Sequence, residues 1–244
     1  MKRVIPVFTR EFGQYFNTPL GFIFIVVFTL ICGVFFFEIQ DFFKMEQASL
    51  RGFFGLLPIF YLFFVPAISM RLLAEDKKIG TVEVLMTLPL KDWEVVLAKY
   101  LAALIFLTVT LLLTFPFVFV VARAAQEGLF DYGPVWGGYL AAILMGAAYL
   151  AVGMFFSSTT NNQIIAFILS VVCLAFFFLI GIPYVVHLFP PTIQQFILSI
   201  SLLNHFESIS RGVIDSRDIL YYGSIIFLFV FLTVRSVETR KWKG

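Results

Sequence analysis

The chain has 244 residues, of which 61% are apolar and only 13% charged, with a formal net charge of +2. That charged share is about half of the ~25% typical of soluble domains, and a mean hydropathy of +0.98 excludes a soluble globular protein. So small a net charge, with no basic stripe interleaved with aromatics, gives no argument for a nucleic-acid partner. No linker, charge block or repeat divides the sequence, so residues 1–244 read as a single membrane domain.

Residues 3–17 read as an amphipathic helix lying along the membrane surface. Val4, Phe8, Phe12 and Tyr15/Phe16 recur at helical spacing, with Thr9, Arg10, Gly13 and Gln14 on the other side. About 20 apolar residues cross a bilayer, and six runs qualify: Leu20–Glu38, Phe53–Leu73, Val95–Ala122, Pro134–Phe156, Ile164–His187 and Ile219–Val237. The first lacks a small-residue cleavage site after it and reads as a span that stays in place. Pro58, Pro66, Pro116 and Pro183 fall inside spans and predict kinks. In the fourth span Gly138, Ala142 and Gly146 follow a small-xxx-small spacing, which predicts a helix-packing face turned into the bundle. Cys32 and Cys173 both lie in apolar runs, so neither a metal site nor a disulfide framework is expected. The 33 phenylalanines read as bulky apolar filler.

Between the second and third spans lies a charged interval, residues 71–100, with Arg71, Lys77, Lys78, Lys91 and Lys99 beside Glu75, Asp76, Glu83, Asp92 and Glu94. A short helix is predicted inside this loop (74–92). Gly80 permits a sharp bend, Thr81 suits an N-cap, Glu83 suits the positive end of the helix dipole, and Pro89 stops the element. Val82, Leu85 and Met86 stand on one face at i, i+3, i+4. A helix of two turns is unstable alone in water, so it requires a surface to dock against.

The pattern E-D-K-K-x-G-T-x-E-x-L-x-x-x-P, followed by Lys99 in the next helix, resembles the first cytoplasmic loop of ABC-2 type transporter permeases. The resemblance implies that this segment is a coupling helix, with Glu75, Gly80, Thr81, Val82, Glu83, Leu85, Met86 and Pro89 engaging a separate ATPase subunit. The connector Ser157–Gln163, with its S-S-x-x-x-N-Q, is similar to the corresponding turn of the same permeases. Thr160 or Asn161 is placed there to cap the fifth span.

The positive-inside rule sets the orientation. One side collects Lys2, Arg3, Arg10, the five cations of 71–100, Arg235, Arg240, Lys241 and Lys243. The other has only Lys44, Arg51, Arg123, Arg211 and Arg217. Both termini and the 71–100 loop are therefore expected in the cytosol, in a multi-pass protein of the bacterial cytoplasmic (inner) membrane.

After the fifth span, residues 189–217 open on Pro190–Pro191, and the apolar run Phe196–Leu203 is too short to cross. This stretch reads as an outer re-entrant or interfacial segment. Glu207 and Arg211, at i, i+4, are either a mutually neutralising pair at a headgroup boundary or contacts of an outer gate. Residues 206–222, F-E-S-I-S-R-G-V-I-D-S-R-D-I-L-Y-Y, look very like the same stretch of gliding-motility ABC permease subunits.

No G-x-x-x-x-G-K-[ST] phosphate loop and no HExxH or G-x-S-x-G motif occurs. No catalytic residue and no metal ligand set is expected, and His187 and His205 read as interfacial polar residues. Span centres carry no Asp, Glu, Lys or Arg, whereas ion-coupled carriers keep such groups at mid-membrane. A transporter driven from outside the chain is the better fit.

The expected fold is an all-α membrane protein of six transmembrane helices, ABC-2 or type V exporter-like, with an interfacial helix, a coupling helix and a re-entrant outer segment. The expected function is the permease subunit of an ATP-driven transporter. By resemblance, its partners are an ABC ATPase subunit that holds the ATP and Mg, and a second permease subunit, identical or related. The chain itself is expected to bind no cofactor and to catalyse nothing. The competing reading is a passive membrane scaffold in a motility or envelope complex.

Overall fold

The computed structural model describes residues 4–39, 49–80, 91–125 and 130–239; among these residues all regular structure is helical. The amphipathic helix α1 (Val4–Asn17) is followed by α2 (Pro19–Val34), which runs on into a π-helical turn over Phe35–Ile39. Next come α3 (Arg51–Ser69), α4 (Arg71–Ile79), α5 (Asp92–Leu112) and α6 (Pro116–Ala124). The long α7 (Gly133–Thr159) precedes α8 (Gln163–Ile180) and three short helices, α9 (Pro183–Val186), α10 (Pro191–Ile200) and α11 (Leu202–Ser210). The last helix, α12 (Ser216–Glu238), ends the described chain. Among the described residues, six helical units are long and apolar enough to cross a membrane: Pro19–Ile39, Arg51–Ile79, Asp92–Ala124, Gly133–Thr159, Gln163–Ile180 and Ser216–Glu238.

Prolines decide where these spans bend. Pro116 opens α6 after the turn Leu113–Phe115, and the third span breaks there. Pro183 opens α9 after a turn at Gly181–Ile182, so the fifth span stops at Ile180, seven residues before the expected His187. Proline suits a helix's first turn but cannot supply an interior N–H, and both sites follow that rule. Pro58 and Pro66 instead lie within α3, which runs unbroken to Ser69. Met70 separates α3 from α4 with its backbone still in the helical region, and its N–H reaches the Pro66 carbonyl at 2.9 Å.

Helix α7 is the hub of the bundle, packing against α3, α4, α5, α8, α11 and α12. Glycine and alanine make that possible by letting other backbones close in. A Cβ on Gly138 would lie 2.4 Å from the Phe54 ring, and one on Gly146 would lie 2.8 Å from Leu107. Ala142 between them is fully buried. On a neighbouring strip of α7, a Cβ on Gly137 would meet the Ile209 carbonyl of α11 at 2.5 Å. Around this hub Phe28, Phe53, Phe106, Tyr61 and Tyr149 fill the core. Helices α2 and α8 keep most of their apolar surface exposed, as spans facing lipid or another subunit do.

Residues 189–217 hold α10, with no buried residue, and α11, whose Leu202, Phe206 and Ile209 pack inward. Gly212 then turns the chain at φ +88° beside Gly133 and Pro134. Cys32 is buried, Cys173 is partly buried, and both are free thiols.

Candidate functional site

The charged residues flanking 81–90 gather at one end of the bundle. Helix α4 leaves the core through a junction completed by one hydroxyl. Ser157, fully buried on α7, donates to the Met70 carbonyl at 2.9 Å and accepts the N–H groups of Leu73 and Ala74 at 3.1 and 3.0 Å. The two N–H groups are of the kind that a helix start leaves without intrahelical partners. The approach is close because Gly153 has no side chain; a Cβ there would sit 2.0 Å from the Ser69 hydroxyl. At its far end α4 stops on Gly80 in the left-handed region, φ +79°, where a Cβ would be strained. Lys77 and Lys78 in its last turn suit the negative end of the dipole.

Past residues 81–90 the chain re-enters helix at α5. Its first turn carries Asp92 and Glu94, and the Lys91 N–H donates to the Glu94 carboxylate at 3.0 Å, one half of a capping box.

Two turns into α5, Lys99 is 2% exposed. Its ammonium lies 2.8 Å from Glu11 Oε1 on α1 and 2.7 Å from Asp76 Oδ2 on α4. One buried cation thus joins three elements: the amphipathic helix α1, the segment before 81–90 and the segment after it. Burying these charges is tolerable only because each is matched. Alongside, Arg71 grips Glu75 within α4 through Nε at 2.9 Å and Nη2 at 3.3 Å. Lys77 Nζ donates to the Ser158 carbonyl, which also accepts from the Ser236 hydroxyl of α12 at 3.1 Å. Aromatic packing seats α1: Tyr15 stacks on Phe106 of α5 with ring centroids 4.4 Å apart, and Phe16 meets the same ring edge-on. Burial, and then the nearby Glu11 carboxylate, push the Tyr15 phenol well above its ordinary pKa.

Of the residues singled out in the sequence, Glu75 lies in the Arg71 pair and Gly80 forms the C-terminal turn of α4. Thr81, Val82, Glu83, Leu85, Met86 and Pro89 lie outside the described residues. Gly138, Ala142 and Gly146 line the inner face of α7, away from this site. Glu207 and Arg211 pair at 3.4 Å on the exposed side of α11.

Sequence reasoning missed the participation of Glu11, Asp76 and Ser157. Glu11 is the only acidic residue in α1, and a lone carboxylate on the face shared with Phe8 and Tyr15 was the available signal. It also missed a second polar knot beneath α11, where His205 Nδ1 lies 2.6 Å from Asp218 Oδ1 and the imidazole stacks on Tyr221 at 4.0 Å. Asn162, rather than Thr160 or Asn161, caps α8, accepting from Ile164 N–H at 2.9 Å.

A family model described as "ABC-2 family transporter protein" matches residues 37–235. No curated protein matches the chain.

Proposed function

On the premise that this chain belongs to the ABC-2 transporter family, we propose that it is the permease subunit of an ATP-driven transporter, coupled to a separate ATPase through residues 81–90. The observation that carries this reading is the Lys99 ion cluster. A docked partner that moves the segment between Gly80 and Lys91 acts on a loop whose two flanks are tied, through Asp76 and Lys99, to each other and to the surface helix. Displacement there passes into α3 and α5 as one body rather than being absorbed by a slack loop. Ser157 carries it on into α7.

In this proposal Val82, Leu85 and Met86 fill a pocket on the ATPase, while Glu75 and Glu83 meet basic groups or backbone donors at its rim. Gly80 sets the angle at which the segment leaves α4, Thr81 caps it and Pro89 ends it. ATP and Mg belong to the partner, and this chain contributes no chemistry of its own. A second permease subunit, a copy or a relative, covers part of the apolar surface left open on α2 and α8. The protein lies in the bacterial cytoplasmic membrane with both termini and residues 71–100 in the cytosol. The likeness of residues 206–222 to gliding-motility permeases supports a place among that branch.

The test is association and coupling. Truncating a well-packed leucine costs about 2–5 kcal/mol, and even the lower figure weakens binding roughly thirtyfold, since 1.4 kcal/mol is a factor of ten. The pair Leu85→Ala and Glu83→Ala is expected to release the co-purified ATPase, or to uncouple its turnover from transport in vesicles, while the six spans still insert. Unchanged association and unchanged coupled transport would favour a passive scaffold instead.

A further inference from the structure

Two chambers adjoin on the flank of the bundle beside the Lys99 cluster. One, of about 480 Å3, is walled almost wholly by apolar groups of α2 and α3, among them Leu20, Phe24, Val27, Phe63 and Ala67. The other, of about 390 Å3, lies under α1 at the charged end and takes in Arg10, Arg71 and Lys99 beside Glu11, Glu75 and Asp76. They share Tyr15, Thr18 and Arg71, so an apolar slot opens directly onto a charged one. We propose that this composite cavity is a specific binding site for one bilayer phospholipid, its acyl chain in the apolar chamber and its phosphate against Arg10 and Arg71.

Three observations select that occupant. Along α2 the apolar chamber runs from Thr18 to Val27, nine residues or about 14 Å at 1.5 Å each. That is close to one leaflet, about half of the ~30 Å hydrocarbon core. Its mouth is flanked by exposed Leu20, Ile23 and Phe63, so a chain enters sideways from lipid without crossing water. The charged chamber sets Arg10, Arg71 and Lys99 against Glu11, Glu75 and Asp76, so a phosphate is held there by directed arginine donors rather than by surplus positive charge. Arg10 forms no ion pair among the described residues, and Glu75 occupies only Nε and Nη2 of Arg71, leaving Nη1 for a further acceptor. Arginine is the side chain best shaped for phosphate oxygens. The inference goes beyond the transporter reading and does not depend on ATPase coupling; it needs only the membrane-spanning bundle.

The experiment reads lipid retention. The protein is released from nanodiscs of phosphatidylethanolamine and phosphatidylglycerol, and bound lipid is counted by native mass spectrometry. The wild type is expected to keep one phospholipid through a delipidating wash. Ala67→Trp, which fills the apolar chamber, and the pair Arg10→Gln with Arg71→Gln should each retain it at least tenfold less. Diacylglycerol, which has chains but no phosphate, should not substitute. Equal retention by the variants, or diacylglycerol binding as well as phospholipid, overturns the proposal. Because Ala67→Trp strains a packed helix, a phospholipid with a photoreactive mid-chain group is also crosslinked to the wild type. Adducts should concentrate on residues 20–27 and 63–67. Adducts spread evenly over α8 and α12 overturn the site, as would a lipid-free slot in which Ile23 or Phe63 crosslinks to a second copy of the chain.

Discussion

Lys99 shows how much one side chain can decide in a membrane protein. An ammonium at 2% exposure is tolerable only because Glu11 and Asp76 approach within 2.8 and 2.7 Å. Removing one partner of such a buried group typically costs about 3–5 kcal/mol, because the remaining charge stays buried and unmatched. Lys99→Met should therefore lower unfolding stability in detergent by about that amount. Replacing Glu11 and Asp76 with Gln and Asn in the same molecule should restore most of the loss, because no bare carboxylate then remains. A triple variant no more stable than the single one would mean that packing of the lysine stem, rather than charge matching, sets the cost. Glu207 and Arg211 are the opposite case: an exposed i, i+4 pair at 3.4 Å, of a kind that contributes about 0.3–0.5 kcal/mol.

Helix α7 organises the molecule at the scale of elements. Its small residues bring α3, α5 and α11 in so closely that a single added methyl has no room. At Gly137 that methyl would stand 2.5 Å from the Ile209 carbonyl and 2.9 Å from Gly212 Cα. Both are backbone atoms, which cannot rotate away. Gly137→Ala should thus force α11 outward at a cost of about 1–3 kcal/mol, the range for overpacked sites. Exchanging Glu207 with Arg211 on the far face of the same helix should leave stability within about 0.5 kcal/mol. Thermal unfolding of the two variants side by side separates them. If the exchange costs as much as the methyl, or abolishes transport with assembly intact, the pair belongs to an outer gate.

The whole molecule is polarised between a charge-rich end, built from α1, α4 and the start of α5, and an end closed by α10 and α11. The orientation proposed above, from the cation count, has the first end in the cytosol. Single cysteines at Gln47 and Lys78, in a background lacking Cys32 and Cys173, test this with an impermeant thiol reagent on intact cells. Gln47→Cys should label and Lys78→Cys should not. Labelling of Lys78→Cys from outside would invert the bundle and remove residues 81–90 from the reach of any cytosolic ATPase.

Span number, the amphipathic first helix and the small-residue stripe of α7 are legible in the sequence because each is a local pattern: an apolar length, a 3.6-residue period, a four-residue spacing. The break at Pro116 is local in the same sense, as is the glycine turn at Gly80, whose φ of +79° suits glycine best. The family that the 75–89 pattern resembles could be read without coordinates, and the family match over 37–235 agrees with that family. Pairing between distant residues could not be read. Nothing in the order of residues says that Glu11 meets Lys99 across 88 positions, that Ser157 completes the start of α4, or that His205 finds Asp218. Those contacts depend on how helices cross, and crossing is set by side-chain volumes summed over the whole bundle. Local composition decides which segments enter the membrane; only tertiary packing decides which few polar groups are allowed to be buried together.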